Sequence, residues 1–261
     1  MYVAAVQYDI AWEDREANFA KVRSLIAAAD VPAGAMIVLP EMFSTGFSMD
    51  VDAVCEGEKC PGECFLADLA VAKEAVVLGG VVSRADDGRG RNEALLVGPN
   101  WKELARYVKM HPFSYAGETD RYAPGDRPVL AEWAGAKLSP FLCYDLRFPE
   151  VFRTVTTEGA EVLVVLANWP EDRREHWRAL LRARAIENQA YVVGVNRVGQ
   201  DPNARYTGDS VIVGPRGEVL AEAGAEEAVI QGEMYLEALR AYRREFPALW
   251  DIKRGWVKPL E

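Results

Sequence analysis

The stretch KLSPFLCYDLRFPE, residues 137–150, joins an apolar run to an abrupt polar turn and then to Pro149, a favoured first residue of a helix. A short apolar run bounded by a turn reads as a buried strand, here Lys137–Leu142. A strand, a sharp turn at Cys143 and a helix from Pro149 make a nucleophile elbow. The backbone N–H groups just past such a turn are placed to stabilise an oxyanion. Viewed alone, Cys143 reads equally well as a buried core thiol. Pro140 removes a ladder hydrogen bond, so the strand is expected to carry a bulge there or an N–H direction that has no partner.

Three other apolar runs end in the same way. AMIVLP (35–40) ends at Glu41, LARYV (104–108) at Lys109 and EVLVVLA (161–167) at Asn168. Sites in open α/β sheets gather beyond the carboxyl ends of strands, so parallel neighbours would bring these four distant residues together. Throughout the 261 residues, runs rich in Val, Ile and Leu alternate with amphipathic stretches, with no linker, low-complexity segment or clean repeat. This predicts a layered α/β fold with about twelve strands. Helices are expected over 15–29, 63–74, 149–158, 173–188 and 236–245, which suits two packed sheets covered by helices.

Half of the residues are apolar and 27% are charged, enough for a sizeable core and against wholesale disorder. Against 30 Lys and Arg stand 40 Asp and Glu, a formal charge of −10, so a nucleic-acid partner is not expected. No apolar run approaches the ~18 residues that span a bilayer, so no membrane partner is expected either. The opening MYVAAVQYDIAWED lacks a basic segment and is interrupted by Asp9, so a cytoplasmic location is expected. Cys55, Cys60 and Cys64 crowd into ten residues and can be read as loop thiols, as a disulfide pair with one thiol left over, or as three zinc ligands lacking a fourth. His111 and His176 are the only histidines, too few for a His-based metal site, and no metal or cofactor is expected.

Only eight of the 30 basic residues are lysines, and Lys109 closes an apolar strand just before His111-Pro112. It is either a solvated strand end or a fixed cation. Glu41, after Leu39-Pro40, is either a loop carboxylate or a functional one, and the same choice holds for Glu118, nine residues after Lys109. Taken together, a thiol, an ammonium and a carboxylate at three strand ends supply a nucleophile, an oxyanion stabiliser and a proton shuttle.

Here the sequence resembles the nitrilase, or carbon–nitrogen hydrolase, superfamily. The likeness rests on LPEMFSTGF (39–47), YVKMHPF (107–113) and FLCYDLRFPE (141–150), and continues through ANWPEDR (167–173), HWRALLRARAIENQAYVVGVNRVG (176–199) and GDSVIVGPRGEVL (208–220). The resemblance implies a single domain over 1–261 with a four-layer α-β-β-α sandwich. It also implies a homodimer, in which the helices 149–158 and 173–188 pack against their mates. The tail 246–261, with Trp250 and Trp256, would cover the partner subunit. The implied chemistry is hydrolysis of a non-peptide C–N bond without metal, through a thioester on Cys143. Glu41 would shuttle the proton and Glu118 would stand beside the triad. Lys109, held cationic by Glu41 and Glu118, would stabilise the oxyanion with the N–H of Tyr144.

Cys-Tyr-Asp-Leu-Arg-Phe (143–148), Asn-Trp-Pro (168–170) and Ile-Glu-Asn-Gln-Ala-Tyr (186–191) resemble the ω-amidase branch, which removes the terminal amide of small α-keto acid monoamides. Such a substrate carries a carboxylate, so a forked guanidinium is expected in the pocket. Arg173 is the first choice, against a surface salt bridge, while Arg147 is expected to be a structural partner of a nearby acid. Asn168, Phe47, Phe113 and Trp169 are expected to contact the substrate, although each aromatic could equally belong to the core. A nitrilase, carbamoylase or general amidase with the same triad remains an alternative. So does a pseudoenzyme or a thiolate–zinc interaction protein.

Overall fold

The computed structural model describes residues 1–253, 255 and 260. From the N-terminus run β1 (Tyr2–Gln7), α1 (Arg15–Ala28), β2 (Met36–Val38), α2 (Val51–Val54), α3 (Pro61–Ala72), β3 (Val76–Arg84), β4 (Gly90–Val97), β5 (Glu103–Val108) and α4 (Glu118–Arg121). The second half contributes β6 (Ala131–Trp133), β7 (Ala136–Leu142), α5 (Pro149–Thr157), β8 (Val162–Ala167), α6 (Arg174–Asn188) and β9 (Tyr191–Asn196). It closes with β10 (Val198–Gln200), β11 (Arg205–Thr207), β12 (Val211–Val213), β13 (Val219–Glu222), β14 (Ala228–Glu233) and α7 (Leu236–Glu245). One six-stranded sheet has the order β14-β1-β2-β3-β4-β5, the other β13-β12-β9-β8-β7-β6, and β10–β11 is a separate hairpin.

In each sheet three consecutive strands are parallel, β1-β2-β3 in one and β7-β8-β9 in the other. Antiparallel strands flank them. The parallel strands are buried on both faces, which is why they read as nearly continuous apolar runs. Alternation sorts their side chains between two cores. Val3, Ala5, Met36, Val38, Val76 and Leu78 face the second sheet, while Ala4, Val6, Ile37 and Val77 face α1 and α3. On the outer side of the second sheet, α6 buries Trp177, Leu181 and Ala185, a stripe at four-residue spacing. The result is the four-layer α-β-β-α sandwich.

Helix ends follow local chemistry. Asp14 caps α1 by accepting from the N–H of Ala17 at 3.1 Å, and Pro149 opens α5. The expected helix 173–188 starts at Arg174, because Glu171–Arg173 forms a 3-10 turn. Pro140 sits in unbroken register with Val164, without a bulge. β6 pairs only as far as Leu138, so Pro140 has a strand on one side alone, the edge-like position where proline is tolerated.

Four short elements had no legible pattern: α2, α4, β10 and β11 are three or four residues long. In the tail, Trp250 is exposed, and Trp256 lies outside the described residues. Among the described residues no helix is long and apolar enough to cross a membrane.

Candidate active site

Both sheets deliver their parallel strand ends to one place. β2 ends at Val38, and the chain turns at Pro40 to present Glu41, which is fully buried. β3 holds this turn from both sides: the N–H of Gly80 donates to the Pro40 carbonyl and the N–H of Phe43 to the Gly80 carbonyl, each at 3.1 Å. Gly80 must be glycine for lack of space, since a Cβ there would lie 2.4 Å from the Met42 nitrogen and 2.6 Å from the Glu41 Cα.

Lys109 follows β5 and is 1% exposed. Its Nζ donates to Glu41 Oε1 at 2.8 Å and to Glu118 Oε2 at 2.9 Å. Burial by itself would lower the lysine pKa, but the Glu118 and Glu41 charges outweigh it and hold the ammonium above its usual range. Burial raises the Glu118 carboxyl, Lys109 opposes that rise, and Glu41 adds to it. The ammonium thus sits between two buried carboxylates, each within hydrogen-bond reach of its Nζ. Asn92, on β4, ties the carboxylates together by donating from Nδ2 to Glu41 Oε1 at 2.8 Å and to Glu118 Oε1 at 3.0 Å.

Cys143 adopts φ 43°, a left-handed conformation uncommon for a non-glycine residue, at the turn between β7 and the 3-10 segment Cys143–Arg147. Its Sγ lies 3.8 Å from the Asn168 carbonyl. Withdrawal from solvent pushes the thiol pKa well up, Glu41 pushes it further, and Lys109 opposes both. The resting sulfur is thus a thiol that needs a base before it can attack.

Asp145, fully buried, fastens the elbow to the Lys109 strand end. Its Oδ2 accepts from Leu142 N at 3.0 Å and Tyr107 OH at 2.7 Å, and its Oδ1 accepts from His111 N at 3.0 Å. Sequence reasoning missed both Asn92 and Asp145. The available signal was a polar residue in or beside an otherwise apolar run, where a buried polar group implies partners.

Cys143 and Lys109 open onto a cavity of about 630 Å³. Phe47, Phe113, Tyr144, Asn168, Trp169 and Arg173 all line it. Phe47 faces the ammonium, with Lys109 Nζ 5.1 Å from its ring centre. Trp169 is also core, 3% exposed, and its Nε1 donates to the Arg173 carbonyl at 2.7 Å. Asn168 spends its amide on Glu41: Nδ2 donates to the Glu41 carbonyl at 2.6 Å. One expectation is overturned. Among the described residues no acid pairs with Arg147; its guanidinium carbon lies 4.8 Å from the Trp169 ring centre, against the cavity, because the 3-10 turn that it ends directs it there. The β10–β11 hairpin, unforeseen, supplies another wall through Gln200, Asn203 and Tyr206. Cys55, Cys60 and Cys64 lie away from the cavity and, like Cys143, are free thiols.

The architecture is that of a four-layer α/β hydrolase. A family model described as carbon-nitrogen hydrolase matches residues 2–244. The chain is 41% identical over 253 residues to omega-amidase YafV of Yersinia enterocolitica, covering 95% of each chain. It is 32% identical over 253 residues to 2-oxoglutaramate amidase of Bacillus subtilis (strain 168), covering 97% of each. Among solved structures, XC1258 from Xanthomonas campestris, a CN-hydrolase superfamily protein with an arsenic adduct in its active site, superposes with a TM-score of 0.89 at 31% identity, covering 97% of each chain. The chain belongs to the carbon–nitrogen hydrolase family. It is an amide-hydrolysing enzyme of the nitrilase superfamily.

Proposed function

We propose that this enzyme hydrolyses the terminal amide of small α-keto acid monoamides, of the 2-oxoglutaramate and 2-oxosuccinamate type, to the acid and ammonia. The observation that carries this reading is a thiol and a buried Glu41–Lys109–Glu118 relay opening onto a cavity that also presents the Arg173 guanidinium. The names of the similar proteins from Yersinia enterocolitica and Bacillus subtilis support it.

In this mechanism Glu41 takes the Cys143 proton as Sγ attacks the amide carbonyl. Lys109 and the Tyr144 N–H stabilise the oxyanion. The C–N bond breaks as Glu41 passes the proton to nitrogen, ammonia leaves and a thioester remains. Water then attacks the thioester carbon; Glu41 takes its proton and returns it to the departing sulfur. Glu118 keeps Lys109 charged and in place, and the sequence of steps needs no cofactor.

An ammonia-release assay over keto-acid monoamides, neutral amides, nitriles and carbamoyl amino acids tests the reading. Arg173→Ala is expected to lower kcat/KM for a keto-acid monoamide by ~2–4 kcal/mol, and to do much less to a neutral amide of similar length. Glu41→Gln is expected to cut kcat by roughly 10²-fold or more, and Lys109→Arg to be severely impaired because its charge is misplaced. A wild-type preference for neutral amides or nitriles overturns the substrate assignment and leaves the thioester chemistry standing.

We also propose one hydrolase domain over 1–261, a homodimer and a cytoplasmic location. Ile186 on α6, and Phe246 and Trp250 in the tail, are exposed apolar groups that a second subunit would cover, and the free thiols suit a reducing compartment. Light scattering at micromolar concentration giving a monomer would contradict the dimer.

A further inference from the structure

Two guanidinium groups lie on the cavity wall, and each stands over aromatic rings. The Arg147 carbon stands 4.8 Å from the ring centre of Trp169 and 5.9 Å from that of Tyr144. The Arg173 carbon stands 5.6 Å from the ring centre of Phe113 and 5.3 Å from that of Tyr115. Phe113 and Tyr144 are themselves in contact, with ring centres 4.8 Å apart, so one continuous aromatic row carries both cations. Arg147 Nη2 lies 3.2 Å from His176 Nδ1. A guanidinium has only donors, so the ring nitrogen is the acceptor in this contact.

Among the described residues no carboxylate pairs with either guanidinium. Their neighbours behave differently: Arg174 is paired with Asp209, Arg184 with Glu187 and Arg197 with Asp9. In a chain of net charge −10, two half-buried arginines without a counter-charge, both facing the cavity that holds the thiol, mark a place for an anionic ligand. One fork satisfies one carboxylate. The second, whose hydrogen-bond partner among the described residues is the neutral acceptor His176 Nδ1, gains a charged or carbonyl acceptor only if the ligand brings one close to the first.

We propose that Arg147 is a specificity-determining residue that reads the 2-oxo oxygen beside the substrate carboxylate, while Arg173 takes the carboxylate itself. This rests on the keto-acid reading above and sharpens it. The preferred substrate carries a 2-oxo carboxylate, whose three oxygens lie close together and offer acceptors to both forks. An ω-monoamide with a plain carboxylate fills one fork and offers Arg147 no acceptor beyond His176 Nδ1.

The test compares kcat/KM for three amides of equal length: the 2-oxo monoamide, the same monoamide without the oxo oxygen, and a neutral amide. Wild type, Arg147→Gln and Arg147→Lys are measured with each. Wild type is expected to prefer the 2-oxo monoamide over its oxo-free counterpart by about tenfold or more, the scale of a hydrogen bond to a charged group. Arg147→Gln is expected to remove most of that preference, mainly through KM. Arg147→Lys should fall between, since a point charge cannot reproduce the fork. If both carboxylated substrates lose activity alike, Arg147 is structural and the inference fails. If the glutamine variant does not fold by thermal denaturation, the lysine variant decides: an unchanged ratio overturns the proposal and a reduced one supports it. A wild type that does not favour carboxylated over neutral amides overturns the keto-acid reading itself. A wild type that favours the carboxylate but ignores the oxo oxygen overturns only the role of Arg147.

Discussion

Asn168 holds Glu41 from its main-chain N–H, which donates to Oε2 at 2.9 Å, and from its side-chain amide, which donates to the Glu41 carbonyl at 2.6 Å and to Oε2 at 3.4 Å. Glu41 lies in the turn just past β2 of one sheet and Asn168 directly follows β8 of the other, 127 residues away. The pair therefore fixes the carboxylate relative to both sheets. Through its own carbonyl, Asn168 also touches the Cys143 sulfur.

Asn168→Ala removes the side-chain donor and leaves the buried Glu41 carbonyl without it. The expected cost is about 1–3 kcal/mol of stability, together with a lower kcat as the carboxylate loses its anchor. Denaturant titration and steady-state kinetics check both. Wild-type values in both would show that the main-chain contact alone suffices.

Gly80→Ala places a methyl group against the backbone of Glu41 and Met42, which a side-chain rotation cannot relieve. Overpacking of this kind typically costs about 1–3 kcal/mol, and here it would also displace Glu41. The expected result is a lower melting temperature with a disproportionate loss of kcat. Gly34→Ala is the control for a generic glycine effect, since its φ is +77° but nothing lies within 4 Å of its Cβ position; it should lose stability without loss of kcat.

Cys143→Ala is expected to abolish ammonia release with little change in thermal unfolding, since one small sulfur leaves the cavity wall. Cys55→Ala, Cys60→Ala and Cys64→Ala should keep most activity, because these thiols lie away from the cavity. Mass spectrometry of an acid-quenched reaction should find the acyl adduct on Cys143. An adduct on another cysteine would remove Cys143 from the mechanism.

Alkaline pH should unfold the protein cooperatively. Burial holds the phenols of Tyr8, Tyr107, Tyr122 and Tyr206 well above their ordinary value near 10. Above that value the unfolded chain releases these protons while the native chain keeps them, so stability falls as pH rises. Each such phenol contributes a slope of about 1.4 kcal/mol per pH unit. Tyrosinate absorbance and near-ultraviolet circular dichroism should show these groups ionising only with unfolding. Titration of all ten tyrosines in the folded state would contradict this.

The long strands were legible because burial on both faces leaves a continuous apolar run, and the runs ending at Glu41, Lys109, Cys143 and Asn168 needed no partner to be seen. The helices were legible through their apolar stripes, as in Trp177, Leu181 and Ala185. β10 and β11, at three residues each, are too short to show a period, so the hairpin wall of the cavity stayed hidden.

The sequence by itself determined the layered fold, the family resemblance and which chemical groups stand at the strand ends, since each is written in local composition and order. The tertiary structure alone decided whom those groups face. That Asn168 serves Glu41, that Asn92 bridges two carboxylates and that Asp145 ties the elbow to His111 depend on side-chain directions across two sheets. Arg147 shows the same limit. Its place in the chain, just behind the nucleophile, suggested an ion pair, yet the turn geometry laid it on Trp169 at the cavity wall. A charged side chain takes its partner from the groups that packing brings within reach, and packing is a property of the whole chain rather than of its neighbours in sequence.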